Sequence, residues 1–163
     1  MPATYEPIAT TTLGTSTSTI TFSSIPATFT DLRLVLVATA SGGTKFLRFN
    51  SSTTGYSNTW ILGDGSSATS GRSTSYPRLD LNSQDTGDST PSLDTVDVFS
   101  YAGSTNKTCL MTSSHDENGS GQVMRQVGLW ANTAAITQID LLLSSSNTWS
   151  AGTTATLYGI KNA

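Results

Sequence analysis

From Asp31 to Asn50 apolar and polar residues alternate with a period of two, and that rhythm belongs to a strand rather than a helix. Leu32, Leu34 and Leu36 share one parity, and Arg33, Val35 and Val37 share the other. Successive strand side chains point to opposite faces, so the leucines form one apolar row. A second segment places Leu47 and Phe49 against Phe46 and Arg48. Gly42 and Gly43 stand between the two segments, and glycine readily takes the positive φ of a tight turn. The pattern predicts a β-hairpin in the middle of a sheet.

Composition points the same way. Charged residues make up 12% of the chain, with only two Glu (Glu6, Glu117) and three Lys (Lys45, Lys107, Lys161). Glu and Lys are the usual covering of exposed helix faces, so their scarcity argues against helices. Ser and Thr together number 54 of 163 residues, so the wet surfaces are built from hydroxyls rather than charges. Thr suits a pleated surface and Ser suits turns. A chain of this length predicts one domain over residues 1–163, able to bury a core without disulfides.

Further alternating segments predict strands at residues 4–13, started late by Pro7, and at 19–24, 93–101, 105–113, 122–131, 136–143 and 153–160, with shorter ones at 56–62 and 76–81. Val123, Val127 and Leu129 share one face of the 122–131 segment, and Met124 and Trp130 share the other. Residues 132–135 read as one helical turn. Residues 51–91 form a variable region rich in Ser, Thr, Gly and Asp, in which 63–71 reads as a flexible loop. Long loops in small domains commonly carry partner contacts. The expected architecture is all-β: a single antiparallel two-sheet sandwich of jelly-roll type with about 8–10 strands.

The chemistry that the chain lacks narrows its function. Net charge is −3 and the five Arg (Arg33, Arg48, Arg72, Arg78, Arg125) are scattered. Phosphate neutralisation needs clustered cations, so nucleic acid is not an expected partner. The first residues, Met-Pro-Ala-Thr-Tyr-Glu-Pro, lack the basic and apolar regions of a signal peptide. No apolar run of about 18 residues exists to span a membrane as a helix. Cys109 is the sole cysteine, in a strand-like Thr-Cys-Leu-Met-Thr setting that predicts a buried, inert thiol.

His115 is the sole histidine, and no Gly-x-Ser-x-Gly elbow accompanies it. Gly87-Asp88-Ser89-Thr90 is similar to the Gly-Asp-Ser block of one esterase family. However, Pro91 stands where a helix should follow, and Thr112 stands three before His115 where that family has Asp. His115, Asp116, Glu117 and Asn118 offer too few nitrogen or sulfur ligands for zinc. Asp80-x-Asn82-x-Gln84 opens like a calcium loop but continues with Asp85 in place of Gly and lacks the closing Glu. Asp80, Asp85 and Asp88 are therefore calcium candidates whose alternative is a solvated acidic loop. Asp94 and Asp97 are three apart on a strand, so they face opposite sides, against a shared glycosidase site. The reading is a non-enzyme without a cofactor. Tyr56, Trp60, Tyr76 and Trp149, set among Asn and Asp, are candidate glycan-stacking residues whose alternative is the core.

Three blocks combine into a resemblance. The first is Tyr5-Glu-Pro-Ile-Ala-Thr-Thr-Thr-Leu-Gly14 with Ile20-Thr-Phe-Ser-Ser-Ile-Pro-Ala-Thr-Phe-Thr-Asp-Leu32. The second is Leu47-Arg-Phe-Asn50 with Gly55-Tyr-Ser57. The third begins at Gly128-Leu-Trp-Ala-Asn and ends in Ala151-Gly-Thr-Thr-Ala-Thr-Leu-Tyr-Gly-Ile-Lys161. Together they resemble a family of small structural proteins of tailed bacteriophages, frequent in marine phages and cyanophages. The resemblance implies a virion component on the particle exterior, made in the host cytoplasm. Related domains occur both as free-standing decoration proteins and within tail or fibre proteins; the favoured reading is a capsid decoration (cement) protein that bridges capsomers of the major capsid protein, as a homotrimer suited to threefold positions. Pro2, Tyr5 and Pro7 are its candidate partner contacts, as an added strand or arm. The alternative is a tail or fibre receptor-binding module that reads host glycan with Tyr56, Trp60 and Tyr76.

Overall fold

A computed structural model describes residues 4–74, 76–82 and 90–161 of the chain. The described residues contain twelve strands and no helix: β1 (Tyr5–Thr12), β2 (Thr19–Phe22), β3 (Asp31–Ala38), β4 (Lys45–Phe49), β5 (Tyr56–Gly63), β6 (Ala68–Ser73), β7 (Leu79–Asn82), β8 (Ser92–Phe99), β9 (Lys107–His115), β10 (Gln122–Trp130), β11 (Ile139–Leu143) and β12 (Thr154–Ile160). They form two antiparallel sheets, in the orders β1-β12-β3-β8-β9-β10-β5-β6 and β2-β11-β4-β7. The all-β antiparallel sandwich expected from the sequence is the fold of the protein.

The central hairpin is not. β3 pairs with β12 and β8 in the large sheet, whereas β4 pairs with β11 and β7 in the small one. The physical reason is burial. Leu32, Leu34 and Leu36 need an apolar layer opposite them, and Leu47 and Phe49 belong to that layer. Gly42 and Gly43, with φ of 128° and 88°, carry the chain across the sandwich instead of reversing it within a sheet. The crossing is fastened to a neighbouring loop by Thr44 N donating to Ser144 Oγ at 2.9 Å and Ser41 N donating to Thr148 O at 2.9 Å.

Three smaller expectations also change. Part of the expected loop at 63–71 is the edge strand β6, reached through a turn in which Asp64 Oδ1 accepts from Ser66 N and Ser67 N at 2.9 and 2.6 Å. Residues 132–135 form no helix; Asn132 Oδ1 accepts from Ala134 N at 2.8 Å, an Asx turn that competes with helical bonding. Pro7 lies inside β1 rather than delaying it. β1 is an edge strand with a register shift between Pro7 and Ala9, the kind of place where a sheet accepts proline.

The core is a pair of facing apolar rows. Ile20, Leu141 and Leu47 stand in register across the small sheet, and Leu157, Leu34, Val96 and Met111 across the large one. All are buried, each contributing about 1.5–3 kcal/mol relative to exposure. Trp130 stacks on Tyr56 with centroids 6.1 Å apart and meets Phe49 at 5.6 Å. Gly128 lets the sheets approach, since a Cβ there would lie 2.9 Å from Leu79 Cδ2 and Met111 Cε.

Two polar struts cross the interior. Lys45 Nζ on β4 donates to Asp94 Oδ1 and Oδ2 on β8 at 2.8 and 2.6 Å, and to Ser92 Oγ at 2.9 Å. Asn58 Nδ2 donates to Gln126 Oε1 at 3.0 Å, and Gln126 Nε2 donates to the Leu81 carbonyl at 2.6 Å.

Candidate functional site

The residues marked by sequence for glycan stacking are dispersed. Tyr56 is in the core, where its hydroxyl accepts from Phe49 N at 2.9 Å and burial pushes its pKa up to about 12. It cannot present a ring to a ligand, which corrects that expectation. Trp149 is fully buried as well. Trp60 is half-buried and lies over Gly71, where no Cβ would fit beneath the indole. Tyr76 is exposed beside Phe46 with ring centroids 6.5 Å apart. The four aromatics therefore share no platform.

Of the candidate partner contacts, Pro2 lies outside the described residues. Tyr5 and Pro7 are exposed on β1, whose outer backbone edge has no neighbouring strand among the described residues. The Arg33 guanidinium sits 5.6 Å from the Tyr5 ring centroid. From Tyr5 onward this segment is already paired with β12, so it is an edge strand rather than a free arm.

Asp85, Asp88 and the Gly87-Asp88-Ser89 block lie outside the described residues. Asp80 is half-buried on β7, and burial pushes its carboxyl up to about 6 against the opposing pull of Arg78 and Lys45. No group of three or more His, Cys, Asp or Glu placed to hold a metal occurs among the described residues. His115 ends β9 opposite Gln122. Cys109 is fully buried, and burial pushes its thiol far above the usual range, so it is not a thiolate at neutral pH. Asp94 and Asp97 do face opposite sides: Asp94 points inward to Lys45, and Asp97 points outward to Arg33.

What the structure does assemble is a surface. The outward positions of the large sheet run in register from strand to strand. One row reads Thr154, Val37, Leu93, Ser114, Val123, Gly63 and Ala68. The row two residues along contains Thr156, Val35, Thr95, Thr112, Arg125, Ile61 and Ser70. Val37, Leu93, Phe99, Val127, Val123 and Ile61 are 42–63% exposed. The acid between them, Asp97, is held by the Arg33 fork at 2.6 and 2.8 Å. Neither Lys nor Glu interrupts these two rows. Sequence reasoning missed this face as a site, although its signal was present. Leu93 and Val123 have the parity opposite to the buried Val96 and Met124, so those strands carry apolar residues on both sides.

Two depressions mark the β10-β5-β6 end of this face. One, of about 180 Å³, is lined by Ile61, Leu62, Gly63, Ala68, Val123 and the Arg125 stem. The other, about 390 Å³, is lined by Ser57, Thr59, Thr74, Thr108 and Arg72 together with Val127 and Leu129. What this arrangement offers a partner is apolar and hydroxyl contact. In comparisons with family models, with curated proteins and with solved structures, the chain matches none.

Proposed function

We propose that this chain is a structural component of a tailed-phage particle, a capsid decoration protein that bridges neighbouring capsomers and opposes their separation. The observation that carries the assembly part of this reading is the bare apolar face of the large sheet. Large apolar side chains left exposed together on one sheet face mark a place of association. The particle itself is argued from the sequence blocks at 5–32, 47–57 and 128–161.

The proposed action is mechanical. The Lys45–Asp94 and Gln126–Leu81 struts tie the two sheets together, so a load on one is transmitted to the other. The edge of β1, with Tyr5 and Pro7, offers main-chain groups to a capsid strand, the geometry of β-augmentation. Each contact need contribute only a few kcal/mol, because binding to the assembled shell alone stabilises it by mass action over many copies. Quantitative mass spectrometry of purified virions tests the reading. Hundreds of copies against the major capsid protein support decoration, and absence from the particle refutes it.

A second reading, a tail or fibre module for host glycan, is favoured by the hydroxyl-lined depression beside Arg72. It predicts a handful of copies per particle and a glycan affinity lost on Arg72→Ala. Trp60→Ala is the weaker probe, because Trp60 faces the opposite side of β5 from Thr59.

A further inference from the structure

We propose that the outward face of the eight-stranded sheet is covered by the same face of a second copy of this chain, as a two-fold pair. Three observations choose that occupant. The first is area. Eight strands spaced about 4.8 Å apart, each presenting about seven residues at about 3.3 Å, give a footprint of roughly 800 Å². A standard stable interface takes about 800 Å² from each partner, so the face is large enough to hold a pair by itself.

The second is charge. A face that meets its own copy must not bring like charges together. The acid among the exposed apolar residues, Asp97, already holds Arg33 in a two-point pair, so covering both leaves neither charge unpaired. Arg125 lines the apolar depression with its stem and directs its guanidinium to Thr112 Oγ1 at 3.5 Å. Long basic side chains cover apolar surface in this manner while the head stays wet. Arg72, on the same face opposite Thr59, stands with Arg125 at the β10-β5-β6 end; a two-fold axis along the strands lays that end over the mate's β1-β12 end and keeps these like charges apart.

The third is shape. Val37, Leu93, Val123, Val127 and Ile61 lie on β3, β8, β10 and β5, on either side of β9, which presents Ser114, Thr112 and Leu110 between them. Two right-twisted sheets pack face to face with their strands about 30° apart, which brings such rows together. The depression of about 180 Å³ beside Ile61 is a socket for an aliphatic side chain of the mate. A two-fold pair departs from the trimer expected for threefold capsid positions. A trimer built on this face needs a second, different apolar patch on each copy, and the outward face of the small sheet is a charged network instead.

The test is the mass of the full chain in solution, by sedimentation equilibrium, for wild type and Ile61→Glu. Ile61 is 63% exposed, so the change leaves the fold intact, as far-ultraviolet circular dichroism and the melting temperature verify. Thr53→Glu adds the same charge in an exposed loop away from the face and serves as control. The expected result is a dimer for wild type and Thr53→Glu and a monomer for Ile61→Glu. A wild-type monomer, a trimer, or a dimer unchanged by Ile61→Glu overturns the proposal. So does a monomer that binds purified particles through this face, because the occupant is then the shell. A pair that forms but never enters a particle leaves this inference standing and removes the decoration reading.

Discussion

On the small sheet the outward side chains close over one another. Asp140 Oδ1 accepts from Thr21 Oγ1 at 2.9 Å and Gln138 Nε2 at 2.8 Å, while Oδ2 accepts from Arg48 Nε and Nη2 at 3.1 and 3.0 Å. Beside them the Arg78 guanidinium covers the Phe46 ring at 3.9 Å. On the large sheet the equivalent positions hold mostly Val, Leu, Ile and Thr, and nothing among the described residues covers them. The small-sheet face is complete within one chain. The large-sheet face becomes complete only when something else is laid on it. On the proposed reading one sandwich has a face for water and a face for assembly, although its composition is poor in charge throughout.

The largest way to break this comparison is to remove the frame both faces share. Asp94→Ala strands the Lys45 ammonium in the interior, and breaking a buried pair in this way costs about 3–5 kcal/mol. Urea unfolding followed by circular dichroism measures it; a loss under about 1 kcal/mol would mean the strut does not join the sheets. Next in size is the closed face itself. Asp140→Ala leaves Arg48, Thr21 and Gln138 without their acceptor and should cost about 2–3 kcal/mol, since bonds to charged groups are the stronger kind.

Asp80 sharpens the picture by its pH dependence. Its carboxyl is raised to about 6 by burial, so between about 4 and 6 the folded chain binds a proton that the unfolded chain has released. Stability therefore falls as pH rises through that window, and Asp80→Asn should flatten the slope. A slope unchanged in the variant would place the titration elsewhere. The smallest effect belongs to the open face. Leu93→Ala, 46% exposed, should change the stability of the dilute chain by less than about 0.5 kcal/mol while weakening its association.

Much of this was legible locally. The alternation in β3, β8, β10 and β12 marks both their existence and their inward residues, because period two is a property of a few neighbouring residues. The partnership of β3 and β4 was not legible. Gly42-Gly43 suits a hairpin and a crossing equally, and the choice is made by β12 and β11, which lie more than 90 residues later. β6 carries no apolar period because it is an edge strand with most of its residues exposed, so its composition reads as loop. Tyr56 reads as core or platform alike until Trp130 arrives from β10 to stack on it. Asp94 left a clue, an acid at an inward position of β8 between Ser92 and Val96, but its partner Lys45 is named only by the fold.

Hydroxyl-radical footprinting of the outward aliphatic side chains, comparing dilute with concentrated protein, tests the division between the faces most directly. The account predicts that Ile61, Leu93 and Val123 on the large sheet lose reactivity as the chain assembles, while Leu142 on the small sheet keeps its own. Equal reactivity of Ile61, Leu93 and Val123 at every concentration, or protection confined to the small sheet, would contradict it.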